Sequence, residues 1–215
     1  MALNAYVVLL FSLSFHESAH AWAALRMGDD TAAREGRISL NPLVHIDPIG
    51  TVLMPLLQFL MSGMPLLAWA KPTPYNPANF RRGISLGRGH VIVAAAGPLS
   101  NLLLGVVFTF ALFVVARSGL VALEGGDSVV LNLLATGIEL NVLLMLFNLV
   151  PLPPLDGSKV ASWGLPRSLG ERYDSVVESF GPWLLLILLV PISWVIAPAR
   201  NWISLLLIQA ALSGS

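Results

Sequence analysis

Apolar residues run almost unbroken through about 5–27, 91–116, 128–150 and 181–199, with polar stretches at about 28–48, 71–90 and 157–180 between them. Each run is long enough to cross a bilayer, because roughly 20 helical residues span the hydrocarbon core. A fifth run, 49–70, is interrupted by Pro55 and by Ser62-Gly63-Met64-Pro65, and a sixth, 201–213, is too short to cross unless its flanks are helical too. The pattern predicts an all-α integral membrane protein: a bundle of four transmembrane helices, a segment at 49–70 that crosses or re-enters, and a short C-terminal apolar helix. Two polar segments depart from helical spacing. In Arg34–Leu40, Ile38 and Leu40 alternate with polar residues as in a short strand, and prolines keep Trp69–Tyr75 extended. They predict a small β-region on the cytoplasmic side, the alternative being an ordinary juxtamembrane loop. No internal repeat or soluble domain interrupts residues 1–215, which are expected to form one domain with a core over 1–160 and C-terminal helices over 160–215.

Composition agrees: 56% of residues are hydrophobic and 11% charged, outside the range of soluble domains. The net charge of zero gives no reason to expect nucleic acid as a partner. The few charges instead report topology. If 49–70 enters and returns on one side, Arg26, Arg34, Arg37, Lys71, Arg81, Arg82, Arg88, Lys159, Arg167 and Arg172 share a face, with only Arg117 and Arg200 opposite. If it crosses, the basic residues divide five against seven. The positive-inside rule favours the first arrangement, so the N-terminus is expected outside, the basic loops in the cytoplasm and 49–70 re-entrant.

Residues 15–20 read Phe-His-Glu-Ser-Ala-His, deep inside the first apolar run. That run has no basic stretch before it, and reading it as a cleaved leader would discard this motif, so it is expected to be retained. Ionisable groups at membrane depth cost a few kcal/mol each, which marks them as functional. On a helix His16 and His20 are i, i+4 neighbours that can reach one metal ion, and Glu17 lies alongside as a base for water. With no cysteine in the chain, the metal must be held by His, Asp or Glu. Catalytic zinc takes three protein ligands, so a third is needed. Asp47, in Asn41-Pro-Leu-Val-His45-Ile-Asp47-Pro48, is one candidate. Asp156 is the other, just beyond Pro151, Pro153 and Pro154, which must stop the 128–150 helix. Since the first span and the 128–150 span both run inward on the charge count, an Asp past the end of the latter can fold back to the histidines.

The His-Glu-x-x-His of the first span, Ala96-Gly97-Pro98-Leu99-Ser100-Asn101 and Asn148 to Leu155-Asp156-Gly157 together resemble the site-2 proteases, the intramembrane zinc metalloproteases. Asn41 to Thr51 and Ala70 to Pro77 are similar to the compact bacterial subgroup without a PDZ insertion. The resemblance covers about residues 11–160. It implies one Zn2+ per chain held by His16, His20 and Asp156, with Glu17 as general base and Asn148 steadying the substrate carbonyl. Asn101 resembles a further polar residue near the family's site, and the 34–75 loop resembles a re-entrant β-region that aligns substrate. Implied too are transmembrane protein or peptide substrates, cleaved in or beside their membrane segments, and a bacterial inner-membrane location with the site towards the cytoplasm.

Plainer roles compete for several residues. Asn148 can cap a proline-broken helix end, and Asn101 can be a polar contact between helices while Gly97 serves close packing. His45, a candidate secondary site residue, and His90 can be interfacial loop residues. Glu139 lies off the face shared by Asn141 and Asn148 and is expected to be a neutralised or water-bonded interior group. The tryptophans cluster towards span ends as anchors. Two other functions fit parts of the pattern: a metal transporter using His and Asp as passing ligands, and a catalytically silent membrane scaffold.

Overall fold

A computed structural model describes residues 2–62, 68–118 and 128–213. The described residues are helical, with no strand among them: α1 Ala2–Met27, α2 Thr31–Arg34, α3 Met54–Ser62, α4 Leu86–Ser118, α5 Val129–Asn148, α6 Gly157–Gly164 and α7 Arg167–Leu212. Among the described residues, three stretches are long and apolar enough to cross a membrane: Leu86–Ser118, Val129–Asn148 and Pro191–Leu212.

Two of the four predicted spans, 91–116 and 128–150, coincide with α4 and α5. The 5–27 run is helical throughout, but Ser12, Ser14, His16, Glu17, Ser18 and His20 lower its apolarity below that of the other three. All of these except Glu17 are buried, whereas Leu3, Val7, Phe11, Trp22 and Leu25 remain on the surface. The 181–199 and 201–213 runs are one continuous helix, and Pro191–Leu212 within it is one of the three apolar stretches. Arg200, which separates the two runs in sequence, turns its guanidinium onto Asn201 Oδ1 at 2.8 and 3.1 Å and does not interrupt the helix. At its 46 residues α7 is about 69 Å long, over twice the thickness of a hydrocarbon core.

The predicted β-region is also absent. Arg34 closes α2, Gly36 turns the chain at φ +70°, and the amides of Gly36 and Arg37 bond back to Ala33 and Ala32. Ser18 of α1 then takes the polar groups a strand would have offered. Its hydroxyl donates to the Ser39 carbonyl and accepts from Ser39 N at 3.1 Å. Arg37 is buried and donates to the Val44 carbonyl at 2.6 Å, and His45 Nε2 donates to the Ser39 carbonyl at 2.8 Å. With the chain turned at Gly36 and the Ser39 backbone engaged by Ser18 and His45, the segment is a loop and not a strand.

Beyond it, a π-helical turn, Pro48–Leu53, leads into α3. The excursion ends where it began: Trp69 N bonds to the Gly50 carbonyl at 3.2 Å, Thr51 Oγ1 to the Trp69 carbonyl at 2.9 Å, and Lys71 N to the His45 carbonyl at 2.8 Å.

Two apolar clusters bracket the interior. Leu112, Leu134, Ile138, Val142 and Ala211 join α4, α5 and α7, while Ala23, Ala24 and Val93 join α1 to α4 under Tyr75 and Phe80. Between them on α4 lie Gly97 and Asn101. Pairings fix the directions: His16 meets Asn101 and His20 meets Val93, so α1 and α4 are antiparallel; Ser12 meets Asn141 of α5, and Asp156 beyond α5 meets His16. Hence α1 and α5 run the same way. Glu139, expected inside, is exposed on the outer side of α5.

Helix α1 ends in a Schellman turn at Gly28, φ +112°, with Asp29 N on the Ala24 carbonyl and Gly28 N on that of Leu25. Asp29 is fully buried and accepts from Thr31 N, Thr31 Oγ1, Asn76 N and Asn79 Nδ2 at 2.6–3.2 Å. It thus clamps the extended segment that follows Trp69 to the end of α1. Burial alone would raise its pKa, but the bonds from Thr31, Asn79 and Asn76 outweigh this and hold the carboxyl below its ordinary value. A depressed carboxylate stabilises the fold at pH above its unfolded value of about 3.9, and the contribution is lost as pH falls further through the folded value. Thermal unfolding in detergent is therefore expected to separate wild type from Asp29→Asn at pH 7, with the two Tm curves converging below about pH 4.

Candidate metal centre

The prolines after α5 act as expected: the helix stops at Asn148, and residues 149–156 turn back. The turn is tight enough that a Cβ on Gly157 would lie 2.2 Å from the Leu149 carbonyl oxygen, so only glycine fits there. This brings Asp156 to the α1 histidines. Asp156 Oδ2 lies 3.2 Å from His16 Nε2 and 3.4 Å from His20 Nε2, and the two Nε2 atoms are 3.0 Å apart.

These three atoms face one another as acceptors. His20 Nδ1 lies 2.7 Å from the Val93 carbonyl, which can only accept, so Nδ1 carries the proton and Nε2 a lone pair. His16 Nδ1 is 2.6 Å from Asn101 Oδ1 in the same relation. Asp156 Oδ2 is buried and has no hydrogen-bond donor despite its two close neighbours, because neither Nε2 has a proton to give. Three lone pairs aimed at one point need a cation. Tetrahedral zinc with bonds of about 2.0–2.2 Å sets its ligand atoms about 3.3 Å apart, close to the separations found, so the residues fit the ion.

Glu17 stands beside this set. Its carboxylate lies within 4.8 Å of the imidazole nitrogens, so by proximity it could itself complete a ligand group. Asp156 is nearer and undonated, whereas Glu17 Oε2 accepts from Thr73 N at 2.9 Å and Thr73 Oγ1 at 2.8 Å. The geometry therefore separates the two carboxylates into one facing the ligand point and one held next to it. Thr73 sits between Pro72 and Pro74 in the extended segment; the prolines made that segment legible, but nothing in its residues pointed to Glu17.

The other candidates fall outside the cluster. Asp47 caps the π-helical turn, accepting from Ile49 N at 3.0 Å and Gly50 N at 2.6 Å. His45 is buried in the loop clamp on Ser18. Asn148 donates to the Leu144 carbonyl at 3.0 Å and, among the described residues, makes no hydrogen bond to the cluster. His90 pairs with the Tyr75 hydroxyl at 2.9 Å. Burial and the charge of Asp156 raise the Tyr75 pKa, keeping it a neutral phenol.

Asn101 lies at the back of His16, and behind it stands a residue that the sequence did not assign to the site. Asn141 is fully buried and joins Asn101 at 3.0 Å and Ser12 Oγ at 2.9 Å. The available signal was an amide in the middle of an apolar helix.

No protein-family model and no solved structure matches the chain. Curated relatives do, under the name "Putative zinc metalloprotease". YwhC of Bacillus subtilis (strain 168) is 37% identical over 197 residues, 91% of this chain and 84% of its own. The chain belongs to the site-2 protease family of zinc metalloproteases. Rip2 of Mycolicibacterium smegmatis (strain ATCC 700084 / mc(2)155), another member, is 30% identical over 148 residues, 69% of this chain and 52% of its own. This family member is accordingly a membrane metalloprotease whose metal is zinc.

Proposed function

We propose that the protein is an intramembrane endopeptidase that hydrolyses peptide bonds within or next to transmembrane segments of other membrane proteins. The observation that carries this is the convergence of His16, His20 and Asp156 inside a helical bundle whose surface is apolar. These three residues would hold the zinc. Bound there, zinc supplies Lewis acidity to a water and to the substrate carbonyl. Glu17 takes the proton from the attacking water and delivers it to the leaving amine. Thr73 keeps the Glu17 carboxylate oriented through its two bonds to Oε2. Asn148, at the C-terminus of α5, donates to the developing oxyanion after releasing the Leu144 carbonyl.

A helical substrate must unwind before its carbonyl is free. Pro72 and Pro74 keep Lys71–Tyr75 extended beside Glu17, and an unwound chain lying along it would present its backbone to the site. The excursion from Gly50 to Trp69, closed on itself by hydrogen bonds and tied to α1 by Tyr6 Oη on the Thr51 carbonyl at 2.6 Å, supports re-entry into the membrane. The apolar outer surface of α1 supports a fourth membrane helix, with its polar residues turned inward. With the basic loops in the cytoplasm of a bacterial inner membrane, the site faces inward.

Purified protein in liposomes is expected to cut a synthetic transmembrane peptide, with mass spectrometry placing the cut in its apolar stretch. Chelation should stop cleavage and added Zn2+ restore it. Cleavage confined to soluble peptides would overturn the intramembrane reading, and turnover untouched by chelation would overturn the metal mechanism.

A further inference from the structure

We propose that Asn141, which touches neither ligand ring, sets the direction of the amide groups behind His16 and so decides which nitrogen His16 offers to zinc. The proposal rests on the reading of His16, His20 and Asp156 as zinc ligands.

An asparagine amide has a donor end and an acceptor end, and its partners decide which faces where. Asn141 has an unambiguous partner in the Gly137 carbonyl, 2.8 Å from its amide nitrogen, since an oxygen placed there would meet a second acceptor. The nitrogen also donates to Ser12 Oγ at 2.9 Å. Asn141 Oδ1 must therefore face Asn101, and at 3.0 Å it accepts from Asn101 Nδ2. The same nitrogen of Asn101 lies 3.5 Å from the Ser12 carbonyl, a further acceptor that favours this orientation. Asn101 then has only its oxygen for His16 Nδ1, 2.6 Å away. A ring nitrogen facing that oxygen carries the proton, which leaves the His16 Nε2 lone pair directed at His20 and Asp156.

Ser12, Asn101 and Asn141 are each 0% exposed, so water cannot replace a missing member. His20 needs no such arrangement, because its Nδ1 meets a backbone carbonyl that cannot turn round. For His16 the tautomer is fixed jointly by α1, α4 and α5. Without Asn141 Oδ1, Asn101 is free to turn over and present Nδ2 to His16, which moves the ring proton to Nε2 and blocks the metal. Asn141 is a positioning residue for zinc binding.

The test uses the full chain in detergent micelles. Histidine 15N NMR of the zinc-free protein above the imidazole titration reads the tautomer, and chelator competition reads zinc affinity. Asn141→Leu removes the acceptor at similar volume. It is expected to move His16 away from the Nδ1–H form, leave His20 unchanged and weaken zinc binding about 10- to 100-fold, the usual effect of losing support behind a ligating histidine. Asn141→Asp, neutral in so buried a place, keeps an acceptor towards Asn101 and a hydroxyl donor towards the Gly137 carbonyl, and is expected to retain the His16 tautomer, with zinc affinity much nearer wild type. The proposal falls if the Leu variant keeps tautomer and affinity, or if the Asp variant loses the tautomer as completely as the Leu variant. Should Asn141→Leu fail to fold, Asn141→Val, which also removes the acceptor, takes its place with the same expected and opposing outcomes. Failure of the wild-type chain to bind zinc would instead remove the ligand reading, while the zinc-free tautomer still reports on Asn141.

Discussion

Replacing Glu17 by Gln is expected to lower turnover of a transmembrane peptide by about 10²- to 10⁴-fold while the protein keeps its zinc. The substitution preserves size and removes the base. It leaves the Nε2 atoms of His16 and His20 and the Oδ2 of Asp156, which lie within 3.4 Å of one another, untouched. Thr73 can still donate to the amide oxygen of Gln, so the side chain has reason to stay in place. Metal analysis of the purified variant beside a single-turnover cleavage assay separates the two effects. Lost turnover with one zinc retained assigns Glu17 to proton transfer. Loss of the metal as well would make Glu17 a ligand, and full activity would put the base elsewhere. The same variant distinguishes the rival functions: a transporter would continue to move metal, and a silent scaffold would have no cleavage to lose.

Gly97→Ala is expected to disturb both zinc-binding histidines with a single methyl group. A Cβ there would lie 2.4 Å from His20 Nε2 and 2.5 Å from His16 Cε1, distances that require something to move. The rings cannot yield freely, because Val93 and Asn101 hold their far sides. Either α4 withdraws, opening the bundle, or the imidazoles leave their carbonyl partners. Overpacking of a filled interior costs about 1–3 kcal/mol, and a tenfold change in affinity is about 1.4 kcal/mol, so zinc binding should weaken roughly 10- to 100-fold. Gly105→Ala on the same helix is the control. Its Cβ would meet nothing nearer than Asn141 Cβ at 3.8 Å, an ordinary contact, and it should leave Tm and zinc affinity unchanged. Equal behaviour of the two variants would show that the close approach of α4 to the histidines is not what places them.

Sequence alone determined the chemistry. His16 and His20 are one helical turn apart, so any helix through the first apolar run puts them on one face, and Pro151, Pro153 and Pro154 end α5 whatever surrounds them. Those are local constraints on backbone geometry, readable without knowing the fold. Apolar runs likewise located α4 and α5, because periodicity and length are properties of the segment itself. Tertiary structure decided what depends on partners distant in the chain. Arg34–Leu40 has a strand's alternation, yet Ser18, 21 residues before Ser39, takes its backbone groups and leaves a loop. Residue chemistry left Asp47 and Asp156 both open, the family resemblance favoured Asp156, and the fold-back at Gly157 sets its carboxylate against the histidines. Thr73 meets Glu17 across 56 positions and Asn141 meets Ser12 across 129, contacts made by helix packing, which no local spacing encodes.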